Sequence, residues 1–382
     1  MRTLKRILRR PHIPRYLKWE TEHVYVSGDL YFEALLSQIS NAASFVWIET
    51  YILKDDEIGR KVLAALVAAV RRGIEVRLIV DGVGSQEWIR RKRAEYEKQG
   101  LAIRVYRPLR FAAFWQQLVG LRFSGVTRLL SHTNRRTHRK LALIDRKIAF
   151  VGSMNLCAEP VESVFGTNAW RDTAVAVTGR AVELLVRSVE DTWVRRRAEG
   201  KPRFTGLIRD NRTFIQRLRS HQRLLREIRR ARHRIYITTA YFVPEQLLRR
   251  ALRKAARRGV DVRIILPGTS DVPFLPWVSR LYYAKLQVAG VRVLEYQKNM
   301  IHAKTAIIDG SAWVGSSNLN SRSLYWDREL DVRVLQAKSL RVLLDQFALD
   351  EAKAAPYSRA VAGRFSIAGI LGSLLSKLEK LF

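Results

Sequence analysis

The feature that most constrains this chain is an internal duplication. THRKLALIDRKIAFVGSMNL (137–156) matches IHAKTAIIDGSAWVGSSNL (301–319) almost position by position. Upstream of each copy, a β-rich apolar run leads into a helical stretch that ends in Arg-Arg-Gly, at 62–73 and 251–259, and a buried-looking strand follows. Strand–helix–strand alternation repeated in this way predicts two tandem α/β domains with central sheets flanked by helices.

The repeat also predicts local structure and domain boundaries. Gly73 and Gly259 stand where a helix C-terminus favours a left-handed residue, so we expect a positive φ at both. The predicted divisions are a basic N-terminal tail (1–19), a first domain (20–200), a second domain (201–355) and an amphipathic C-terminal helix (356–382). The stretch from residue 195 onward, rich in Arg with Gly and Pro, begins as the predicted inter-domain linker.

Each half carries the pattern His-x-Lys-x4-Asp followed by Gly-Ser-x-Asn. The candidate residues are His138, Lys140, Asp145, Ser153 and Asn155 in the first half, and His302, Lys304, Asp309, Ser316 and Asn318 in the second. On a strand, residues i and i+2 project to one face, so each histidine and lysine can address one anionic group. Imidazole for covalent or acid–base work, with ammonium and amide donors for developing charge, suits a phosphoryl group.

The sequence leaves the role of the motif aspartates open and gives no sign of a metal site. Asp145 and Asp309 follow predicted strands, where each carboxylate either takes part in the chemistry or anchors a turn. No carboxylate cluster suited to Mg²⁺ or Ca²⁺ stands near either motif. We therefore expect a site that uses no metal and no other cofactor.

At these residues the chain resembles the phospholipase D superfamily, whose signature is the duplicated HxKxxxxD motif, and within it the bacterial cardiolipin synthases. The resemblance covers residues 24–350 and includes the GSSNLNSRSL continuation of the second motif. It implies two phospholipase D-like domains, each with a mixed sheet, packed face to face with pseudo-twofold symmetry around one shared site. It also implies a two-step phosphatidyl transfer through a phosphohistidine.

The resemblance further implies residue roles. One histidine attacks phosphorus and the other protonates the leaving alcohol, then activates the acceptor hydroxyl. The superfamily pattern makes His138 the nucleophile and His302 the acid–base, with the reverse open from sequence alone. An acidic residue downstream of each motif orients a histidine, which here corresponds to Asp172 in RDTAVAV and Glu329 in RELDVRV. Alternatively, Asp172 has only a structural role at the start of a strand. The motif lysines and asparagines would hold the non-bridging oxygens.

Charge and composition restrict the partners. The formal net charge is +34, and a field of that size attracts polyanions, either nucleic acid or an anionic membrane. The single cysteine, Cys157, excludes a disulfide within the chain and fits a reducing compartment. Since there is neither an 18-residue apolar run nor a signal-peptide core, we expect a peripheral protein on the cytoplasmic face of the cell membrane.

Four segments favour a lipid surface over nucleic acid: the polybasic N-terminus, the aromatic and basic insertion at 110–123, the similar mixture at 273–285, and the amphipathic stretch at 365–382. Each segment also has an alternative interpretation. The tail can simply be solvated in water, the other three segments can pack on the protein core, and the aromatic segments can stack on nucleic-acid bases. We expect phosphatidylglycerol as a substrate and leave the second phosphatidyl donor and the oligomeric state open. The alternative functions are a phospholipase D-type hydrolase, a metal-independent nucleic-acid phosphodiesterase and a non-enzymatic membrane-binding protein.

Overall fold

The computed structural model describes residues 18–108, 135–194 and 206–357. Most of the predicted tail, the insertion at 110–123, the first part of the linker and the C-terminal amphipathic stretch at 365–382 lie outside these residues. Within them, two large β-sheets, one in each half of the chain, carry helices on their outer faces. A separate two-stranded parallel sheet, Phe242–Val243 with Leu319–Asn320, lies in the second half.

The first half contains seven strands that form one sheet. They are β1 (Glu22–Tyr25), β2 (Phe45–Thr50), β3 (Glu75–Asp81), β4 (Ala102–Tyr106), β5 (Leu141–Ile144), β6 (Ile148–Gly152) and β7 (Ala174–Thr178). The helices of this half are α1 (Gly28–Ser40), α2 (Glu57–Arg71), α3 (Gln86–Arg91), α4 (Arg93–Lys98), α5 (Glu162–Phe165) and α6 (Glu183–Trp193). Short 3-10 turns occupy Gly166–Asn168 and Arg180–Val182.

The second half repeats this arrangement. Its strands are β8 (Ile208–Asp210), β9 (Arg234–Thr238), β10 (Phe242–Val243), β11 (Asp261–Pro267), β12 (Arg292–Tyr296), β13 (Thr305–Ile308), β14 (Ser311–Gly315), β15 (Leu319–Asn320), β16 (Leu330–Val334) and β17 (Ala354–Pro356). Its helices are α7 (Phe214–Arg230), α8 (Gln246–Arg257), α9 (Leu275–Gln287), α10 (Ser321–Tyr325) and α11 (Ala337–Ala352).

The strand order shows the duplication directly. The first sheet runs β1-β7-β6-β5-β2-β3-β4, and the second runs β8-β16-β14-β13-β9-β11-β12-β17. In each, three successive strands separated by helices pair in parallel and the motif hairpin adds antiparallel strands. Both sheets are therefore mixed, and the predicted α/β fold with two similar halves is confirmed.

The two sheets share one core. Along β6, Ala149 and Val151 point into a cluster of residues from both halves, while Phe150 between them packs under the helices of its own half. Along β14, Val314 joins the same shared cluster and Trp313 packs under the helices of the second half. Because the side chains of each strand alternate between the shared core and the helices, both faces of each strand are buried and the two sheets lie face to face.

The turns that connect helices to strands follow the predicted chemistry. Gly73 has φ 83° and Gly259 has φ 87°, as expected for the residue after a helix C-terminus. Among the residues that the structure describes, no helix has the length and hydropathy that crossing a bilayer requires.

Candidate active site

Each motif histidine is held at the boundary between the two halves. The backbone N–H of His138 donates to the carbonyl of Arg328 at 2.9 Å, and that of His302 donates to the carbonyl of Arg171 at 2.8 Å. Short parallel bridges pair residues 137 with 328 and 171 with 301. The segment that leads into each motif is thus hydrogen-bonded to the segment that leads into the acidic residue of the other half.

The carboxylate partners of the histidines are exchanged between the halves. Nδ1 of His138 lies 3.2 Å from Oε2 of Glu329 and 3.0 Å from the carbonyl oxygen of Ser316. Nδ1 of His302 lies 3.0 and 3.1 Å from the two carboxylate oxygens of Asp172. Each histidine is therefore oriented by the other half of the chain, and neither half contains a complete histidine–carboxylate pair from its own motif.

The environment lowers the pKa of both imidazoles, that of His138 more strongly. Burial and the neighbouring Lys140 and Lys304 lower the pKa of His138 well below its ordinary value. Burial also lowers the pKa of His302, but the charge of Asp172 opposes that shift. Although burial favours the neutral acid, His302 and Lys304 hold the pKa of Asp172 below its usual range. An ionised carboxylate thus faces His302.

The second carboxylate differs from the first. Burial raises the pKa of Glu329 to about 7, against the opposing charge of Lys140 and hydrogen bonds from Ser316 and Ser323. The Ser316 hydroxyl donates to Oε2 at 2.5 Å and the Ser323 hydroxyl donates to Oε1 at 2.6 Å. Glu329 therefore changes charge near neutral pH, whereas Asp172 stays ionised.

The motif lysines lie beside the histidines and are buried. Nζ of Lys140 donates to the carbonyl of His138 at 2.7 Å, and Nζ of Lys304 donates to the carbonyl of His302. Burial, together with the charge of Lys304, lowers the pKa of Lys140 to about 7. Burial lowers the pKa of Lys304 to about 8. Two buried ammonium groups that oppose each other form a site that an anion would stabilise.

The serines and asparagines divide into two functions. The Ser153 hydroxyl donates to Asp172 as Ser316 does to Glu329, so both serines orient the carboxylates. The side-chain oxygen of Asn155 accepts the N–H of Ile52 at 3.2 Å. The side-chain oxygen of Asn318 accepts the N–H of Tyr241 at 3.3 Å in the equivalent place. Both amides are thereby fixed with their NH₂ ends as the remaining donors.

The two motif aspartates lie at the far end of the hairpin. Asp145 accepts the N–H groups of Ala43, Ser44 and Phe45 at 2.7 to 3.0 Å. Asp309 accepts those of residues 232 to 234 at 2.9 to 3.1 Å. Both adopt positive φ, 53° and 50°, in the turn that follows a four-residue strand about 13 Å long. Each one anchors the start of a parallel strand, and the inclusion of Asp145 and Asp309 in the catalytic set stays a prediction.

The sequence analysis missed aromatic contacts on both histidines. Tyr51 packs edge-on against His138 with ring centroids 5.0 Å apart and holds Nζ of Lys140 5.2 Å from its centroid. Trp170 lies 5.2 Å from His302. The repeat gave no signal for Tyr51, because the matching hydrogen bonds to Asn155 and Asn318 make Ile52 the equivalent of Tyr241. No repeated pattern in the sequence points to Trp170 either.

A buried ion pair also holds the segment that leads into the first motif. Arg136, at 1% exposure, forms an ion pair with the fully buried Asp81 at 2.9 Å. The other carboxylate oxygen of Asp81 accepts the N–H of Thr137 at 2.9 Å, directly before His138. Across the described ranges, no three His, Cys, Asp or Glu side chains converge in a way that could hold a metal ion.

Comparison with known proteins places this site in a family. The profile described as "Cardiolipin synthase, PLD-like domain" matches residues 35–178 and 224–350, which together make up more than half of the chain. The chain belongs to the PLD-like cardiolipin synthase family. Both matched segments contain one complete His-x-Lys-x4-Asp motif and the acidic residue that orients the other histidine.

Individual members of this family are similar over most of their length. Cardiolipin synthase B of Salmonella typhi is 35% identical over 323 residues, which cover 80% of this chain and 74% of the relative. Cardiolipin synthase B of Escherichia coli K12 is 33% identical over the same shares. A probable cardiolipin synthase of Bacillus subtilis is 31% identical over 89% of this chain and 69% of its own.

Solved structures support the fold. The crystal structure of phosphatidylserine synthase from Haemophilus influenzae matches with a TM-score of 0.69 at 12% identity, covering 96% of this chain and 94% of the other. The crystal structure of polyphosphate kinase from Porphyromonas gingivalis matches with a TM-score of 0.62 at 16% identity, covering 95% of this chain and 54% of the other. At these identities the likeness is one of fold alone.

Proposed function

We propose that the protein is a cardiolipin synthase-type phosphatidyltransferase, which moves a phosphatidyl group from one phospholipid to phosphatidylglycerol. The observation that carries the proposal is the pair of buried histidines whose Nδ1 atoms are bound to carboxylates of opposite halves. With Nδ1 engaged, Nε2 is the nitrogen of each ring that is left to react. One site thus holds a nucleophile and a separate acid–base group.

The electrostatics support His138 as the nucleophile. Its lowered pKa keeps the ring neutral, and the carbonyl of Ser316 can only accept, so Nδ1 carries the proton and Nε2 keeps its lone pair. Burial lowers the pKa of His302 as well, but the ionised Asp172 opposes that shift, so His302 is the better placed of the two rings to carry a second proton. We therefore assign attack to His138 and proton transfer to His302.

In the first half-reaction, Nε2 of His138 attacks phosphorus of the donor phospholipid. A P–N bond forms, the bond from phosphorus to the alcohol oxygen breaks, and the Nε2 proton of His302 passes to that oxygen. In the second, the neutral His302 takes the proton of the phosphatidylglycerol hydroxyl, whose oxygen attacks phosphorus. The P–N bond breaks, and His138 and protonated His302 are restored.

Four donors are available for the non-bridging oxygens throughout. They are the ammonium groups of Lys140 and Lys304 and the NH₂ groups of Asn155 and Asn318. Each charge-assisted hydrogen bond contributes about 1.5–3 kcal/mol. Burial is the main reason that the pKa values of the two lysines are lowered, and a phosphodiester bound between them would favour their charged forms.

The lipid substrate is favoured by the family and by the charge of the chain. Relatives that cover most of this sequence are named cardiolipin synthases, and a net charge of +34 attracts an anionic membrane surface. We place the protein peripherally on the cytoplasmic face of the membrane, with the domains at 20–200 and 201–355 contributing half a site each. Water as the acceptor would make the same site a phospholipase D, and a nucleic-acid diester is the less favoured substrate.

The test incubates the purified protein with phosphatidylglycerol vesicles in EDTA and follows products by lipid mass spectrometry. H138A and H302A are the variants, and H23A is the matched control because His23 is exposed on β1. Cardiolipin and glycerol from wild type and H23A only are expected. Phosphatidic acid in place of cardiolipin would make the protein a hydrolase. No lipid product together with cleavage of single-stranded DNA would overturn the lipid assignment.

A further inference from the structure

A basic groove lies between helices α8 and α9, apart from the motif residues. Its volume is about 210 Å³, and its lining side chains are Gln246, Arg249, Arg250, Arg253, Tyr282, Lys285 and Leu286. Four of these are basic, and none of the described side chains that line it is acidic. The pattern of α8 explains the concentration of charge: Leu248, Ala251, Leu252 and Ala255 fill the core, which leaves the arginines of the helix outside it.

Two arginines of this groove have a side-chain nitrogen that is buried without a hydrogen-bond partner. The Nε atoms of Arg249 and Arg253 are buried and have no hydrogen-bond partner. By contrast, Arg263 on β11 forms ion pairs with both Asp261 and Glu351. Arg249 instead lies over the ring of Tyr282, 4.8 Å from its centroid. Donors without partners beside several like charges form a groove that an anion would stabilise.

An apolar stripe adjoins the groove on α9. Trp277, Leu281 and Val288 are 58%, 40% and 86% exposed, and Lys285 is exposed between them. Their spacing of i, i+4, i+8 and i+11 places all four along one face of the helix. Tryptophan beside a lysine with a long apolar stem is typical of a helix face that lies at a membrane interface. The stripe favours a lipid headgroup over a soluble phosphate.

We propose that this groove binds the phosphate of an anionic phospholipid as a second, non-catalytic site, with the stripe on α9 in contact with the lipid surface. Arg250, Arg253 and Lys285 pair with the phosphate, while Arg249 stays stacked on Tyr282. The proposal rests on the proposed function only for the identity of the lipid surface. It adds a means of holding the protein where its substrate is, independent of the two motif histidines.

The experiment measures binding to vesicles in the H138A background, so that no turnover occurs. R250Q/R253Q removes two charges from the groove, and K254Q/R257Q removes two exposed charges from the same helix outside it. Vesicles of phosphatidylcholine with and without phosphatidylglycerol are sedimented with each protein. The affinity of the groove variant for phosphatidylglycerol vesicles is expected to fall at least about tenfold. The affinity of the control variant is expected to stay within about threefold of that of the parent.

Two further arms separate the sources of phosphate and the two proposals. Glycerol phosphate titrated into the parent by calorimetry is expected to show no binding in the millimolar range; saturable binding lost in R250Q/R253Q would overturn the assignment to a membrane lipid. Equal weakening by both double variants would overturn the site itself. In the active background, R250Q/R253Q should keep the wild-type kcat on phosphatidylglycerol in detergent micelles. If the wild type makes no cardiolipin but R250Q/R253Q still loses vesicle binding and the control variant does not, the proposed function is refuted and this inference stands.

Discussion

The different charge states of the two orienting carboxylates predict a pH-dependent difference between two matched variants. D172N and E329Q each replace a carboxylate with an amide of the same shape whose oxygen can still accept from Nδ1. Because the pKa of Asp172 lies below its usual range, D172N removes a full charge from His302 at every pH of interest. Because the pKa of Glu329 is about 7, E329Q removes little charge at pH 6 and nearly a full charge at pH 8.

The magnitude follows from the hydrogen bonds. A bond between an ionised carboxylate and imidazolium contributes about 1.5–3 kcal/mol, which corresponds to a loss of about 10- to 150-fold in kcat for D172N at both pH values. With a pKa of about 7, Glu329 is ionised in roughly one tenth of molecules at pH 6 and in nine tenths at pH 8. E329Q is therefore expected to stay within about threefold of wild type at pH 6 and to lose more at pH 8.

The assay is the initial rate of cardiolipin formation from phosphatidylglycerol in detergent micelles at pH 6, 7 and 8. Circular dichroism and the thermal midpoint of each variant verify that the fold is intact. Equal losses for the two variants at every pH, or a larger loss for E329Q than for D172N at pH 6, would refute the assignment of a permanent charge beside His302 and a titrating group beside His138.

Three other predictions concern the support of the site. D145A should lower the free energy of unfolding by about 2–4 kcal/mol in urea, since three backbone N–H groups lose their acceptor, yet leave kcat of the folded enzyme within about threefold; a catalytic loss like that of a histidine variant would contradict the anchoring role. KM should rise from pH 7 to 9 as Lys140 and Lys304 lose their protons, and a flat profile would contradict their lowered pKa values. D81N should destabilise by about 3–5 kcal/mol because the buried Arg136 loses its carboxylate partner, and an unchanged urea midpoint would contradict this.

The sequence predicted the features that its repeat encodes locally. Two copies of one strand–helix–strand pattern predicted the α/β halves, and the i, i+2 spacing brought each histidine and lysine together. The turn glycines were predictable for the same reason, because Gly73 and Gly259 occupy equivalent ends of equivalent helices. These features depend on neighbours within about 20 residues along the chain.

Local sequence patterns could not predict that each histidine pairs with the carboxylate of the other half. His138 and Glu329 are 191 residues apart, and their contact depends on how the two sheets pack rather than on any local pattern. The sequence named both acids but gave no basis for assigning either to a histidine. The sequence alone leaves the turn role of Asp145 open, because only the three-dimensional path of the chain brings the N–H groups of residues 43–45 to its carboxylate.

The central claim, that His138 receives the phosphatidyl group while His302 of the other half handles the proton, is tested most directly by trapping the intermediate. H302A and H138A would each be mixed with a short-chain phosphatidyl ester that has an acidic phenol as its leaving group, quenched in alkali and digested for mass spectrometry. The account predicts a phosphatidyl adduct on His138 in H302A, because this leaving group departs without a proton, and no adduct in H138A. An adduct on His302 in the H138A variant, with none on His138 in H302A, would contradict it.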